Sequence, residues 1–187
     1  MDLRRQNRGR RADTARRSTV LPFSHDTPAL AMPPTVLYDL STIDLDATVE
    51  GIPPIEDINP QRGDMRHLDA ICHVADDGAI GFKDVRDDEF WVPGHIPSRP
   101  LLPAVIMLEA AAQVASYFTK VGLGWDGFIG FGGLENCKFR REVLPGCRMY
   151  ILVRLVEKRH RRVRCNSQGI VNGNVVFEAD IIGTKMG

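Results

Sequence analysis

Apolar and polar positions alternate on three different rhythms along this chain. Over residues 1–34 neither a period of 3.6 nor a period of 2 is sustained, and Arg gives way to Ser, Thr, Pro and Ala. Such a stretch buries too little apolar surface to offset its ordering entropy. It predicts a disordered tail over 1–34 and a single domain over 35–187. Over 104–118 almost every position is Ala, Val, Ile, Leu or Met, which predicts a helix buried on all sides. Pro103 suits its first turn. Beyond it a period of 2 returns and predicts strands over 128–141, 148–157, 162–171 and 174–182. Asn172-Gly173 joins the last two as a two-residue hairpin. Gly130, Gly132 and Gly133 mark a bulge or a close backbone approach. Upstream, Asp76-Asp77-Gly78 turns a strand over 68–74 into another over 79–85. Short helices are expected at 53–58 and within 36–50. These elements sum to an α+β domain, one long central helix packed against a curved antiparallel sheet.

Composition narrows the function classes. Apolar content of 43% and charged content of 26% are those of an ordinary globular protein. The formal net charge is zero, but residues 1–17 hold seven Arg against Asp2 and Asp13, so the remainder is mildly acidic. That balance gives no reason to expect nucleic acid. An Arg-rich tail is also compatible with targeting or with an acidic partner. No run is long and apolar enough to predict a membrane span. Cys72, Cys137, Cys147 and Cys165 lack metal-ligand spacing, so no metal is expected, and isolated thiols fit a reducing, cytoplasmic location.

The candidate chemistry lies between Phe90 and Phe118. Glu109 and Gln113 are four apart on one face of the apolar helix, and a carboxylate there is costly to bury unless paired or protonated. His95 lies fourteen residues upstream in a loop punctuated by Pro93, Gly94, Pro97 and Pro100. A histidine can serve as a base at neutral pH, a carboxyl as an acid, and the free N–H groups of Ala104 and Val105 as oxyanion donors. The three together suit proton abstraction beside a carbonyl followed by loss of a hydroxyl, with no cofactor. The residues alone equally allow a loop histidine and a structural Glu109 paired with Gln113 or an arginine.

The run GHIPSRPLLPAVIMLEAAAQ resembles the GHFPxxPxMPGVLxxEAxAQ motif of 3-hydroxyacyl-[acyl-carrier-protein] dehydratases. CKFRREVLPG is similar to that family's kFRrpVxPGD, and residues 58–74 to its LPHRYPFLLVDRV segment. The resemblance implies a hotdog fold, His95 as catalytic histidine and Glu109 as catalytic carboxylate. It also implies an acyl carrier protein bearing a 3-hydroxyacyl chain as partner, and a homodimer or trimer of dimers pairing histidine and carboxylate across the interface. Gly94, Ala104, Val105 and Gln113 are then expected to position substrate. The chain departs from the pattern at Ile96, Ala104, Cys147 and Gly63, the last standing where a gating tyrosine is expected, and Arg66 and His67 replace apolar positions. A basic set comprising Lys138, Arg140, Arg141, Arg159 and Arg161 reads either as solvated turns or as a docking patch for the carrier protein. A hotdog thioesterase and a non-catalytic acyl-thioester-binding module are the alternatives. His25, His67, His73 and His160 receive no role, and Trp91 and Trp125 are read as packing.

Overall fold

The computed structural model describes residues 34–46 and 49–186. The expected tail therefore lies outside the described residues but for Pro34, and so does His25. Six strands, β1 (Ala70–Ala75), β2 (Gly78–Val85), β3 (Phe128–Phe139), β4 (Cys147–Lys158), β5 (Arg162–Val171) and β6 (Asn174–Met186), form one antiparallel sheet in the order β1-β2-β4-β5-β6-β3. A short α1 (Ile55–Ile58) precedes the sheet, and α2 (Ala104–Val121) packs on its inner face. This is the expected α+β architecture.

Small residues let α2 lie close to the sheet. Ala110, Ala111 and Val114 are wholly buried, and Met107 and Phe118 pack with them against Met149, Ile151, Val153, Phe177 and Ile181. The helix starts at Ala104 because Pro103 holds φ −55° and ψ 131°, outside the helical region. Asn172 and Gly173 both take positive φ, as the two-residue turn requires. The glycines of β3 coincide with a register shift between Phe131 and Gly133.

Among the described residues of 36–50 the expected helix is not formed, and the helical feature there is a single 3-10 turn at Leu40–Thr42, capped by Asp39, whose carboxylate accepts the Ser41 N–H. The segment is instead a strap on the outer face of the sheet, where Tyr38, Leu40, Ile43 and Leu45 join Cys72, Ile80, Leu152 and Ile170 in a second apolar cluster. An extended strap can follow a sheet surface more closely than a helix can. Tyr38 donates its hydroxyl to Val153 O at 2.8 Å, and burial pushes the phenol up to about 12. A Cβ on Gly78 would lie 2.1 Å from that hydroxyl, so only glycine admits the strap there.

Candidate active site

The helix start supplies the first part of the site. Pro103 O accepts the N–H groups of Ile106 and Met107, while those of Ala104 and Val105 find no acceptor among the described residues. Both point out of the helix end, where the macrodipole favours negative charge. Val105 is 70% exposed, so this end is open.

His95 is half-buried on the loop that feeds the helix. Its Nδ1 lies 2.9 Å from Leu101 O. A carbonyl only accepts, so Nδ1 carries the hydrogen and the neutral ring keeps its lone pair on Nε2. The loop is fixed at both ends. Gly94 and His95 N–H donate to Trp91 O at 3.1 and 2.8 Å, and Leu102 N–H donates to Val143 O at 2.7 Å. Between these ties Ile96 takes φ +56°, a conformation costly for a β-branched residue and one that concentrates at functional sites. The Gly94 N–H is spent on Trp91 O, so Gly94 shapes the loop through its backbone.

Glu109 is half-buried one and a half turns into α2. Its Oε1 accepts from Gln113 Nε2 at 2.8 Å and from Gln61 Nε2 at 3.4 Å, while Oε2 has no partner among the described residues. A proton on this carboxyl therefore belongs on Oε2. The pairing of Glu109 with Gln113 that the sequence allowed is present. Gln113 is 1% exposed, and its Oε1 accepts the His67 N–H while Nε2 also donates to Met65 O. Every polar atom of that amide is engaged, which fixes its orientation and makes it the holder of Glu109. His95 and Glu109 share no hydrogen bond within the chain.

The basic set does not form one patch. Lys138 pairs in register with Glu178, whereas Arg161 exchanges hydrogen bonds with Lys185, seven residues further along β6. At about 3.4 Å per residue the two groups are about 24 Å apart. Arg140 is bound to Glu178 and Arg159 to Glu157, while Lys138 and Arg141 form no ion pair among the described residues. Arg99–Glu142 ties this first group to the His95 loop.

Sequence reasoning missed a buried polar cluster beneath that loop. Lys83 Nζ and Glu89 Oε2 are 2.7 Å apart with side chains only 2% and 7% exposed. Burial pushes the Glu89 carboxyl up, but the Lys83 ammonium and the Arg86 and Trp91 N–H groups outweigh it and hold the acid below its ordinary range. His67 stacks beside Phe90 with ring centroids 6.3 Å apart. Burial, reinforced by Lys83, pushes its imidazole below the usual value of 6.5. The alternation of apolar and charged residues on β2 carried the signal, since Lys83 falls on the inward face with Ala79, Gly81 and Val85.

The model of the FabA-like domain family matches residues 59–180. The 3-hydroxyacyl-[acyl-carrier-protein] dehydratase FabZ of Bacillus pumilus is 34% identical over 71% of this chain and 95% of its own length. That of Sinorhizobium fredii is 33% identical over 72% and 91%. In fold, the chain is similar to a subunit of the dehydratase heterocomplex ApeI:P from Xenorhabdus doucetiae, with a TM-score of 0.63 and 15% identity over 73% of this chain and 93% of that one. A shared sequence over most of both lengths and a hotdog sheet around an apolar helix lead to one conclusion: the chain belongs to the FabA-like family of 3-hydroxyacyl-[acyl-carrier-protein] dehydratases.

Proposed function

We propose that this protein removes water from a (3R)-3-hydroxyacyl chain carried on acyl carrier protein, in fatty-acid or related acyl synthesis, giving the trans-2-enoyl thioester. The observation that carries the residue roles is the Nδ1–Leu101 bond, which leaves Nε2 of His95 as the base. Nε2 takes the C2 proton, and the thioester oxygen gathers charge beside the free N–H groups of Ala104 and Val105. Glu109 gives the proton on Oε2 to the C3 hydroxyl, water departs and the C2–C3 double bond forms. Gln113 and Gln61 keep Oε1 occupied, so the acid presents its other oxygen.

The pair acts between two copies of the chain. β3 is an edge strand of twelve residues that, among the described residues, pairs with β6 alone, and Phe128, Phe131, Leu134 and Phe139 on it are exposed. A long apolar edge of this kind calls for a partner strand. A second copy laid along β3 completes the sheet and brings the His95 of one chain to the Glu109 of the other. Arg141, beside the Glu142 that is tied to the His95 loop, is the docking residue for the acidic carrier protein; Lys138, on the outer face with Leu37, and Arg159 and Arg161, at the far end of β6, are too distant to share that role. The thiols of Cys72 and Cys165 are buried and unpaired, in keeping with a cytoplasmic location.

A series of 3-hydroxyacyl carrier-protein thioesters of graded chain length tests the reading. Enoyl thioester formed without release of free thiol is the expected product. Free thiol in its place identifies a thioesterase, and binding without turnover identifies a non-catalytic module.

A further inference from the structure

His95 owes its position to a chain of contacts that begins on β2. A lysine that is 2% exposed is tolerated only when paired, and Lys83 projects from the inner face of β2 to meet Glu89. Three donors converge on that one carboxylate. Oε2 accepts from Lys83 Nζ at 2.7 Å and from Trp91 Nε1 at 3.0 Å, and Oε1 accepts from Arg86 N at 3.0 Å. Glu89 O then accepts the Val92 N–H, and Trp91 O accepts the N–H groups of Gly94 and His95. Trp91 itself is 4% exposed. From the sheet to the histidine, each link is a hydrogen bond or one residue of backbone.

We propose that the buried Lys83–Glu89 pair, acting through Trp91, is the positioning device that sets the His95 imidazole for catalysis. Stability alone does not account for it. A buried ion pair is no better a stabiliser than an apolar pair of the same volume, and an apolar anchor would pin the loop as firmly. The pair supplies direction. One carboxylate ties the strand, the start of the loop and the indole together, so the Trp91 carbonyl faces the His95 N–H and the ring reaches Leu101 O. The inference rests on His95 being the base of the dehydration, and its role is that of a positioning group, since neither Lys83 nor Glu89 reaches the substrate.

The test uses the full chain and separates positioning from stability. Glu89→Gln leaves the Lys83 charge buried without a counter-charge, and its thermal midpoint is expected to fall. Adding Lys83→Met removes the stranded charge and is expected to restore the midpoint but not the rate. In that double variant kcat should fall about 10–100-fold while KM changes less than about threefold, as expected for a misplaced catalytic group. The imidazole nitrogen chemical shifts of His95 should change from a single Nδ1–H tautomer to a mixture. If rate and tautomer both recover with the midpoint, the pair is only structural and the proposal is overturned. Should the double variant fail to fold, Trp91→Phe keeps the ion pair and most of the packing but removes the indole N–H. A shifted tautomer equilibrium there supports the proposal, and an unchanged one overturns it. The nitrogen shifts report the geometry of His95 whatever thioester is turned over, so failure of the dehydratase reading would appear separately, in product identity.

Discussion

Glu109 stands on a regular helix and is held by Gln113 one turn away, whereas His95 hangs from a loop whose course depends on Glu89, Trp91, Leu101 and Val143. The first half of the site is local and the second is not. A helix fixes residues i and i+4 side by side by its own geometry, so one element places both the acid and its nearer donor, and the long-range contacts of Gln61, Met65 and His67 only orient them. The loop has no such repeat and even keeps Ile96 at positive φ. Its form is imposed by the sheet below. The difference teaches that one site can combine an acid set by secondary structure with a base set by tertiary structure.

The strongest way to break that comparison is to ask whether the two halves meet within one chain or between two. His95→Ala and Glu109→Ala should each lower kcat by about 10²–10⁴-fold, the range of a lost acid or base, with circular dichroism unchanged. Co-expressed and allowed to exchange, the two inactive chains should regain about a quarter of wild-type turnover, because half the dimers are mixed and each mixed dimer holds one intact site. No recovery in mixtures shown by mass to contain mixed dimers would place both groups in the same chain.

Next in size is Gln113→Leu. It strands the His67 N–H and Met65 O and removes the nearer donor to Glu109. Each stranded group costs about 1–3 kcal/mol, so denaturant titration should show a loss of about 2–6 kcal/mol. Turnover should fall as well, since Oε1 is freed and Oε2 is no longer singled out. A stability loss with normal kcat would mean that the helix alone sets the acid.

The same contrast explains what could be read from the chain. The apolar run beginning at Ala104, the Asn172-Gly173 turn and the alternation along β6 specify their elements through local periods. The identities of His95 and Glu109 stood out because their surroundings are apolar or rich in Pro and Gly. Long-range partners have no local period. Gln113 is legible as a partner of Glu109 four residues away, but nothing in the sequence reveals the Met65 carbonyl and His67 N–H that occupy the rest of its amide. Nor does the sequence reveal that Trp91 O takes the Gly94 N–H. Lys138 and Arg161 are told apart only by strand register, which sets them against Glu178 and Lys185 on β6. Glu89 carries no local signal because its counter-charge, Lys83, sits on β2.

A smaller effect probes the ground between the two halves, where His67 meets both Gln113 and the Lys83–Glu89 pair. Burial and Lys83 push its imidazole down, while Glu89 and Asp64 oppose them. A depressed histidine takes up its proton in the unfolded chain first. The contribution is therefore complete above the ordinary value of 6.5 and is lost as pH falls from there through the folded value. Glu89, also depressed, acts only lower, losing its contribution as pH falls below the ordinary carboxylate value of 4.5. Stability measured in urea should decline as pH is lowered from 7.5 to 5.5, and His67→Phe should flatten that decline. The backbone N–H to Gln113 survives the substitution. An identical slope in the variant would assign the titration elsewhere.

The smallest effect is expected on the far side of the sheet. Tyr38 is 8% exposed and bonds to Val153 O, with the Arg154 guanidinium 4.3 Å from the ring centroid. Tyr38→Phe keeps the ring and its cation contact but leaves Val153 O without that bond, a loss of about 1 kcal/mol. The strap touches outward-facing residues of β1, β2, β4 and β5, whereas α2 and the ties of the His95 loop lie on the inner face. Turnover should therefore stay at the wild-type value while the unfolding midpoint drops. If kcat falls with it, the sheet transmits strain from its outer face to the loop, and the base then depends on the strap as well as on β2.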